Sequence, residues 1–271
     1  MHIVLKRRRG LARLGLRELW EYRELVGFLV WKDILVRYKQ TVIGIAWAAI
    51  RPLSAIFVFT FVFGRLAKLP SDGLPYPLIA FAGVLPWQLF ATAFAESSAS
   101  VVGNAQMVSK VYFPRLIVPI SSVASALVDF GVTFVLVIAA MAWYGIVPGP
   151  RVILLALFLL LCLAAATAGG ILFSALFVRY RDVRHIVGFG LQLGAYISPV
   201  GFTTAIVPEK WRLLYALNPL VGAIEGFRWC LLGHGWIDAR ALAIESGIVI
   251  VALLFALYYF RATEATFADV I

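Results

Sequence analysis

The sequence predicts an all-α integral membrane protein with six transmembrane helices. Hydrophobic residues make up 62% of the chain and charged residues 14%, whereas soluble domains average about 45–50% and about 25%. Apolar stretches long enough to cross the roughly 30 Å hydrocarbon layer also recur along the whole length. A soluble fold could not bury so much apolar surface, so we expect a single membrane domain.

The first segment, residues 1–41, is predicted to be a cytoplasmic leader that ends in an amphipathic helix at the membrane interface. Between residues 16 and 40, apolar and polar side chains alternate at helical spacing. The apolar positions are Phe28, Trp31, Leu35 and Tyr38, and the polar positions predicted to turn away are Lys32, Asp33, Arg37 and Gln40. A leader without such a helix is the alternative, because basic residues alone satisfy the positive-inside bias.

The transmembrane domain is assigned to residues 42–261, followed by a cytoplasmic tail, 262–271. The predicted spans are approximately 42–63, 78–102, 116–143, 152–177, 186–206 and 242–260. Ser198-Pro199 interrupts the fifth span. Residues 207–240 are too mixed in polarity to cross, so we expect short helices that dip into the outer leaflet, where protein or water must cover irregular backbone.

Basic residues indicate the orientation. With the N-terminus inside, 16 of the 24 Lys and Arg residues lie in cytoplasmic segments and seven lie on the opposite side. Lys and Arg are enriched in short cytoplasmic loops. Both termini are therefore predicted to be cytoplasmic, in a multi-pass protein.

The sequence lacks the residues that several other classes of function require. The positive charge is concentrated before residue 41 and offers no basic face to nucleic acid. No lysine follows a glycine, so a phosphate-binding loop for ATP is absent. The three histidines are far apart, and the cysteines, Cys162 and Cys230, have no neighbour at metal or disulfide spacing. We predict no catalytic residue, no metal site and no cofactor in this chain.

Four ionisable residues fall inside the predicted spans: Arg51, Glu96, Asp129 and Glu245. Such residues are costly in a membrane and usually have a partner or a function. Arg51 and Asp129 lie at similar depth and are predicted to pair, either as a structural ion pair or as part of a polar pathway. Glu96 is expected near a water-filled cytosolic entrance, and Glu245, close to a span end, is given no role.

Aromatic residues make up 14% of the chain. Most are expected in the core or at the membrane interface. Trp47 and Tyr196 neighbour polar or helix-breaking residues, and their rings offer flat apolar surfaces to sugars in a translocation path.

A series of motifs in order along the chain resembles the membrane subunit of polysaccharide ABC exporters. The motifs are Tyr38-Lys39-Gln40-Thr41-Val42-Ile43-Gly44-Ile45-Ala46-Trp47, Arg51-Pro52-Leu53, Gly83-Val84-Leu85-Pro86-Trp87-Gln88-Leu89-Phe90, Asn104 with Lys110-Val111-Tyr112-Phe113-Pro114-Arg115, Arg181-Asp182-Val183, Ser198-Pro199 and Asn218-Pro219. Each motif is weak alone, but together they span nearly the whole chain.

The resemblance implies a type V-like exporter fold in the bacterial inner membrane. It implies a homodimer that moves a lipid-linked polysaccharide, O-antigen-like, with teichoic acid or capsular polysaccharide as the alternative cargo. Two copies of a separate ABC ATPase would bind the ATP and Mg²⁺. The more distant alternatives are an intramembrane enzyme acting on a polyprenyl-linked glycan, although no acidic pair is present to hold a metal, and a secondary transporter, although no internal repeat is evident.

The resemblance also implies the roles of particular residues. A coupling helix at about 103–113 would meet the ATPase, and gate helices at about 207–235 would close the outer end. The implied residues are Asn104, Met107, Lys110, Tyr112 and Phe113 for coupling; Trp47, Arg51, Glu96, Asp129 and Tyr196 for the path; Arg179, Arg181 and Arg184 for the lipid pyrophosphate; and Asn218, Pro219, Phe227 and Trp229 for the gate. Asn104 is expected to cap the coupling helix. The three arginines serve equally well as positive-inside anchors.

Overall fold

The computed structural model describes residues 20–39, 46–68, 71 and 73–267. Within these ranges it contains helices and no strand. The helices are, in chain order, α1 (Arg23–Lys39), α2 (Ala46–Phe59), α3 (Tyr76–Gly103), α4 (Ala105–Lys110), α5 (Ile117–Trp143), α6 (Leu155–Arg179), α7 (Val183–Ile197), α8 (Glu209–Tyr215), α9 (Val221–Leu232) and α10 (Ala239–Thr263). Residues 1–19 and 40–41 of the leader, residues 42–45 at the start of the first predicted span and residues 268–271 of the tail lie outside the described residues.

In the described part, five helical segments are long and apolar enough to cross a membrane. They are Ala46–Leu66, where α2 continues as a π-helix, then Tyr76–Gly103, Ile117–Trp143, Pro150–Arg179 and Ala239–Thr266. These segments agree with the first, second, third, fourth and sixth predicted spans. The protein is therefore an all-helical, multi-pass membrane protein.

The fifth predicted span, 186–206 with an interruption at Ser198-Pro199, is an α-helix only in its first part. Helix α7 has 15 residues and is about 22 Å long at 1.5 Å per residue, so it cannot cross the hydrocarbon layer alone. It ends at Ile197, because Pro199 has no amide hydrogen to continue the helix and disfavours helical geometry in the residue before it. The six-span count stays a prediction.

Helix α3 is the centre of the bundle and packs against α2, α5, α6, α7 and α9. Its contact with α6 depends on small residues, as the run of Ala and Gly in the fourth predicted span suggested. A Cβ atom at Gly169 would lie 2.7 Å from the Phe94 ring, and one at Gly170 would collide with Ser97. Small residues let membrane helices approach closely, so this pair of glycines fixes the distance between α3 and α6.

The two ends of the bundle have different structures. At the lower end, α1, α4 and the last turns of α6 and α10 enclose a buried cluster that includes Leu29, Val108, Phe113 and Phe260. At the upper end lie the short helices α8 and α9. Helix α9 is buried along nearly its whole length between α3 and α6.

The contact of α9 with α6 leads to a stability prediction. A Cβ atom at Gly226 would collide with the Phe158 ring, and overpacking a core costs about 1–3 kcal/mol. Gly226→Ala is therefore expected to lower the thermal unfolding temperature of the detergent-solubilised protein by several degrees. Gly247→Ala on α10 is the matched control, since no atom lies within 4 Å of its added Cβ. Equal unfolding temperatures for the two variants would contradict the packing argument.

Candidate functional site

The side of helix α1 that contacts the bundle carries polar residues as well as the buried Leu29. Phe28 and Trp31 are exposed, whereas Lys32, Asp33 and Arg37 are partly buried against the bundle. The polar residues thus turn away from Phe28 and Trp31, as predicted, but the face on which they lie contacts the bundle. Tyr38, predicted on the apolar face, also lies on the protein side, where its hydroxyl contacts Asp129. The physical reason is that neighbouring helices supply polar partners, which hydrocarbon does not offer.

Lys32 joins α1 to the segment that precedes α4. Its Nζ donates to Asn104 Oδ1 over 2.7 Å, and its ammonium lies 3.3 Å from the Asp33 carboxylate. Asn104 Nδ2 donates to the Ser100 carbonyl oxygen over 2.9 Å. The Asn104 side chain thus does not cap α4, contrary to the prediction, because its amide group is occupied by Lys32 and by the end of α3.

Arg37 is the central contact of this end of the protein. Its guanidinium donates to the carboxylates of Glu96 on α3 and Asp129 on α5. The Tyr38 hydroxyl also donates to Asp129, and Ser125 Oγ lies 3.4 Å from a Glu96 oxygen. One side chain of α1 therefore bridges two transmembrane helices.

The electrostatics of Arg37 and Tyr38 follow from these carboxylates. Burial lowers the pKa of Arg37, but the charges of Glu96 and Asp129 outweigh burial and leave that pKa raised. Burial, with the hydrogen bond to Asp129, raises the pKa of Tyr38 to about 12. Arg37 is therefore charged and Tyr38 protonated throughout the physiological pH range.

The predicted pairing of Arg51 with Asp129 was wrong. Arg51 is exposed on α2 and takes part in none of the ion pairs formed among the described residues. Asp129 is instead paired with Arg37. Similar depth in the membrane was not sufficient for pairing, because α1 inserts its own guanidinium between α3 and α5.

Helix α4 and the residues after it divide the predicted coupling residues into two groups. Lys110 is exposed, and Tyr112 is 84% exposed. Phe113 is buried and Met107 is partly buried, both against the cluster at the lower end. Among the predicted coupling residues, Lys110 and Tyr112 are the exposed ones that can meet a partner directly, while Met107 and Phe113 attach the segment to the bundle.

The three predicted lipid-pyrophosphate arginines lie together at the lower end, on both sides of the turn between α6 and α7. Arg179, Arg181 and Arg184 are all exposed. Two of them lie over aromatic rings. The guanidinium of Arg179 is 5.6 Å from the Tyr180 ring centroid, and that of Arg184 is 5.6 Å from the Phe177 ring centroid. Their guanidinium groups can meet an anionic group from solvent or from a lipid headgroup.

Helices α2 and α7 have exposed apolar sides. On α2, the predicted path residues Trp47 and Arg51 are exposed, and on α7 Tyr196 is 69% exposed. Both helices pack against α3. The path residues of these two helices therefore flank α3, whereas Glu96 and Asp129 lie in the Arg37 cluster.

The predicted gate residues occupy the upper end in two settings. Asn218 Nδ2 donates to Ser198 Oγ over 2.9 Å, next to Pro219, and this contact joins the two connecting turns. Phe227 is fully buried, with its ring edge-on to Phe130 at 6.1 Å, and the Arg151 guanidinium lies 4.9 Å from the Trp229 ring centroid. Phe227 and Trp229 therefore belong to a tightly packed helix.

A buried ion pair that the sequence analysis missed supports the irregular backbone after α7. Glu225 and Arg228 on α9 are 0% and 1% exposed, and their charged groups lie 3.0 Å apart. Arg228 Nη2 donates to the Val200 carbonyl oxygen over 2.8 Å, and Glu225 Oε1 accepts from the Thr204 amide over 2.9 Å. The pair replaces hydrogen bonds that the broken helix has lost.

The sequence contained a signal for this pair, namely Glu225 and Arg228 at a spacing of three in an otherwise apolar segment. Glu245, to which no role was given, is likewise fully buried on α10, and its Oε1 accepts from the Gly222 amide over 2.9 Å. It thereby holds the first turn of α9. The importance of Arg37 had no signal in the sequence beyond the amphipathic pattern.

Comparison with known proteins gives consistent matches. The profile of the ABC-2 type transporter family matches residues 24–232. A curated relative from Klebsiella pneumoniae, described as an O-antigen export system permease protein RfbA, is 28% identical over 241 residues, which cover 89% of this chain and 92% of the relative. A protein of the same description from Myxococcus xanthus is 27% identical over 256 residues, covering 93% and 97%.

Proposed function

The chain belongs to the ABC-2 type transporter family, and from that premise we propose that it is the membrane subunit of an ATP-driven exporter of a lipid-linked, O-antigen-like polysaccharide. The O-antigen export permeases that it resembles align along 89–97% of both chains. The observation that carries the proposal is the lower end of the bundle. There an exposed short helix, α4, is connected through Asn104 and Lys32 to the helix that holds α3 and α5.

The proposed mechanism begins with an ATPase subunit bound to Lys110 and Tyr112. Movement of α4 would reach α1 through the hydrogen bond between Asn104 and Lys32. Because Arg37 of α1 binds both Glu96 and Asp129, a shift of α1 changes the contact between α3 and α5. Nucleotide-driven movement would in this way reach the transmembrane helices. ATP and Mg²⁺ would bind on two copies of the partner ATPase.

The lower end would face the cytoplasm, with both termini there, in the bacterial inner membrane. The basic groups of Arg179, Arg181 and Arg184 would attract the diphosphate of an incoming lipid carrier at this end. A second copy of the chain would complete the channel. The exposed side chains of α2 and α7, including Trp47, Arg51 and Tyr196, would then line the path of the polymer.

The fifth of six spans would consist of α7 together with residues 198–206. Irregular backbone is tolerated at membrane depth only where protein covers it and satisfies its polar groups. Arg228 and Glu225 do so for Val200 and Thr204, and the Tyr76 hydroxyl donates to the Gly201 carbonyl oxygen. A helix followed by such a segment would bring the chain to the outer face.

The moving part of the gate would be α8 rather than α9. Helix α8 buries none of its residues, and its Tyr215 hydroxyl donates to the Ile197 carbonyl oxygen over 2.6 Å. Helix α9 is held by buried charges and by close glycine contacts. Asn218 and Pro219, between the two helices, would form the hinge.

The coupling proposal is tested with Lys110→Ala and Tyr112→Ala in one chain, reconstituted with its ATPase subunit. Truncating an exposed aromatic at the centre of an interface typically costs about 2 kcal/mol, or roughly 30-fold in affinity. We expect ATPase binding and polysaccharide export to fall by about that factor. Trp143→Ala at the upper end, where the side chain is 86% exposed, should change neither quantity. Unaltered binding and export in the double variant would remove α4 from the proposed interface.

A further inference from the structure

A cavity of about 370 Å³ opens at the upper end of the bundle. It lies between the start of α3, residues 203–205, α8, α9 and the loop 233–236 that joins α9 to α10. Sites for small ligands typically have volumes of about 300–1,000 Å³. The cavity is therefore large enough for a ligand of one or two rings.

The wall formed by the loop 233–236 is fixed by the buried ion pair beneath it. The Trp236 amide donates to Glu225 Oε2 over 3.1 Å. Gly233 and Gly235 adopt φ values of 72° and 154°, which side chains other than that of Gly rarely accept. A Cβ atom at Gly235 would lie 2.8 Å from the Glu225 carbonyl oxygen. The loop thus holds His234 and Trp236 in a defined position.

The charges around the cavity are largely compensated. Arg228 is neutralised by Glu225 at the floor, and Arg212 lies 3.8 Å from the Glu209 carboxylate. Arg212 Nε also donates to the Val207 carbonyl oxygen over 3.0 Å. A site built for an anion would present uncompensated positive charge, and a site for a cation would present an unpaired carboxylate. The charged side chains in the lining of this cavity are each paired instead.

The accessible groups of the lining both donate and accept hydrogen bonds. Thr203 supplies a hydroxyl group, and His234 supplies an imidazole that can donate or accept a hydrogen bond. Arg212 supplies hydrogen-bond donors. The Trp236 ring offers a flat apolar surface, with the Arg212 guanidinium 6.0 Å from its centroid. A ring that carries hydroxyl groups and has apolar C–H faces matches these lining groups. Each hydroxyl can donate and accept a hydrogen bond, while the C–H face packs on the indole ring of Trp236.

We propose that this cavity binds a neutral sugar unit. In export, the cavity would contact the polymer where it leaves the outer end. That role rests on the proposed function, whereas sugar binding by the cavity does not. The fixed loop means that the site is preformed, so binding requires neither the ATPase subunit nor nucleotide. Affinity for a single sugar is expected to be about millimolar, since few contacts are available to a monosaccharide.

The test uses the purified full-length chain in lipid nanodiscs and ligand-observed saturation-transfer NMR. The probes are the methyl glycosides of glucose, galactose, mannose, rhamnose and N-acetylglucosamine, with inorganic phosphate and glycerol 3-phosphate as competitors. We expect transfer to at least one glycoside, unaffected by either phosphate compound. Trp236→Ala should reduce the signal by about fivefold or more, and Trp236→Phe should retain most of it, because an aromatic face remains.

Trp211→Ala is the matched control, since Trp211 lies on the neighbouring helix α8 but outside the cavity. It should leave the glycoside signal unchanged. Equal signals from wild type and Trp236→Ala, no transfer to any glycoside, or displacement by phosphate would each overturn the proposal. Failure of the proposed function is separate: it would appear as unchanged ATPase binding in the Lys110 and Tyr112 variant, whatever the NMR result.

Discussion

Arg228→Met is expected to destabilise the protein by about 3–5 kcal/mol, because it leaves the fully buried Glu225 carboxylate without its counter-ion. The same change removes the donor to the Val200 carbonyl oxygen. An unpaired buried charge and an orphaned backbone group would then lie together at the break after α7. The measurement is the thermal unfolding temperature in detergent, followed by intrinsic tryptophan fluorescence.

Two further variants distinguish the effect of the unpaired Glu225 charge from the effect of replacing an arginine side chain by methionine. Arg240→Met makes the same replacement at an exposed position and should leave the unfolding temperature nearly unchanged. Glu225→Gln combined with Arg228→Met removes the unpaired charge and should recover part of the loss, because a neutral amide is less costly to bury than a carboxylate. A double variant no more stable than Arg228→Met alone would refute the charge argument.

Arg37→Ala is expected to reduce polysaccharide export at least tenfold while the protein still folds. The substitution leaves the Glu96 and Asp129 carboxylates facing each other without the guanidinium that joins them. The side chains of Arg37, Glu96 and Asp129 are 23%, 33% and 25% exposed, so solvent screening limits the loss of stability. The effect on export is larger, because α1 loses its ion pairs with α3 and α5. Export and ATP hydrolysis are measured together in proteoliposomes that contain the ATPase subunit.

The control for this experiment is Arg23→Ala, at the start of the same helix, where the side chain is exposed. It should export normally. Arg37→Ala combined with Glu96→Gln and Asp129→Asn tests the mechanism further. Neutral partners remove the repulsion but do not restore the connection, so folding should improve while export stays low. Normal export by Arg37→Ala would mean that α1 does not transmit movement through this cluster.

Much of the fold was predictable from residue order. Four of the predicted spans, 78–102, 116–143, 152–177 and 242–260, agree with described helices to within a few residues. The prediction was good because the hydrocarbon layer requires long apolar helices, and such helices are visible in any sequence. In the fifth span the break at Ser198-Pro199 was also predicted, and the helix ends at Ile197. The buried side chains that cover the backbone after this break were not predicted.

The candidate site was less predictable. The predicted coupling segment rests on its motif, and the motif did not distinguish the exposed Lys110 and Tyr112 from the buried Phe113. The pairing of Asp129 was assigned to Arg51 rather than to Arg37. In both cases the sequence shows the residue types and their depth, whereas the neighbour of a side chain depends on how the helices rotate and pack.

The sequence by itself determined that this protein is a multi-pass helical membrane protein, because membrane solvation acts on each apolar stretch independently of the others. Its resemblance to polysaccharide exporters came from the motifs and not from hydropathy. Only the tertiary structure decided the partners of the charged groups. Arg37 lies between α3 and α5, Arg228 faces the backbone after α7, and Glu245 holds the start of α9. A buried charge takes whichever partner packing brings within hydrogen-bonding distance, and that distance is a property of the assembled bundle.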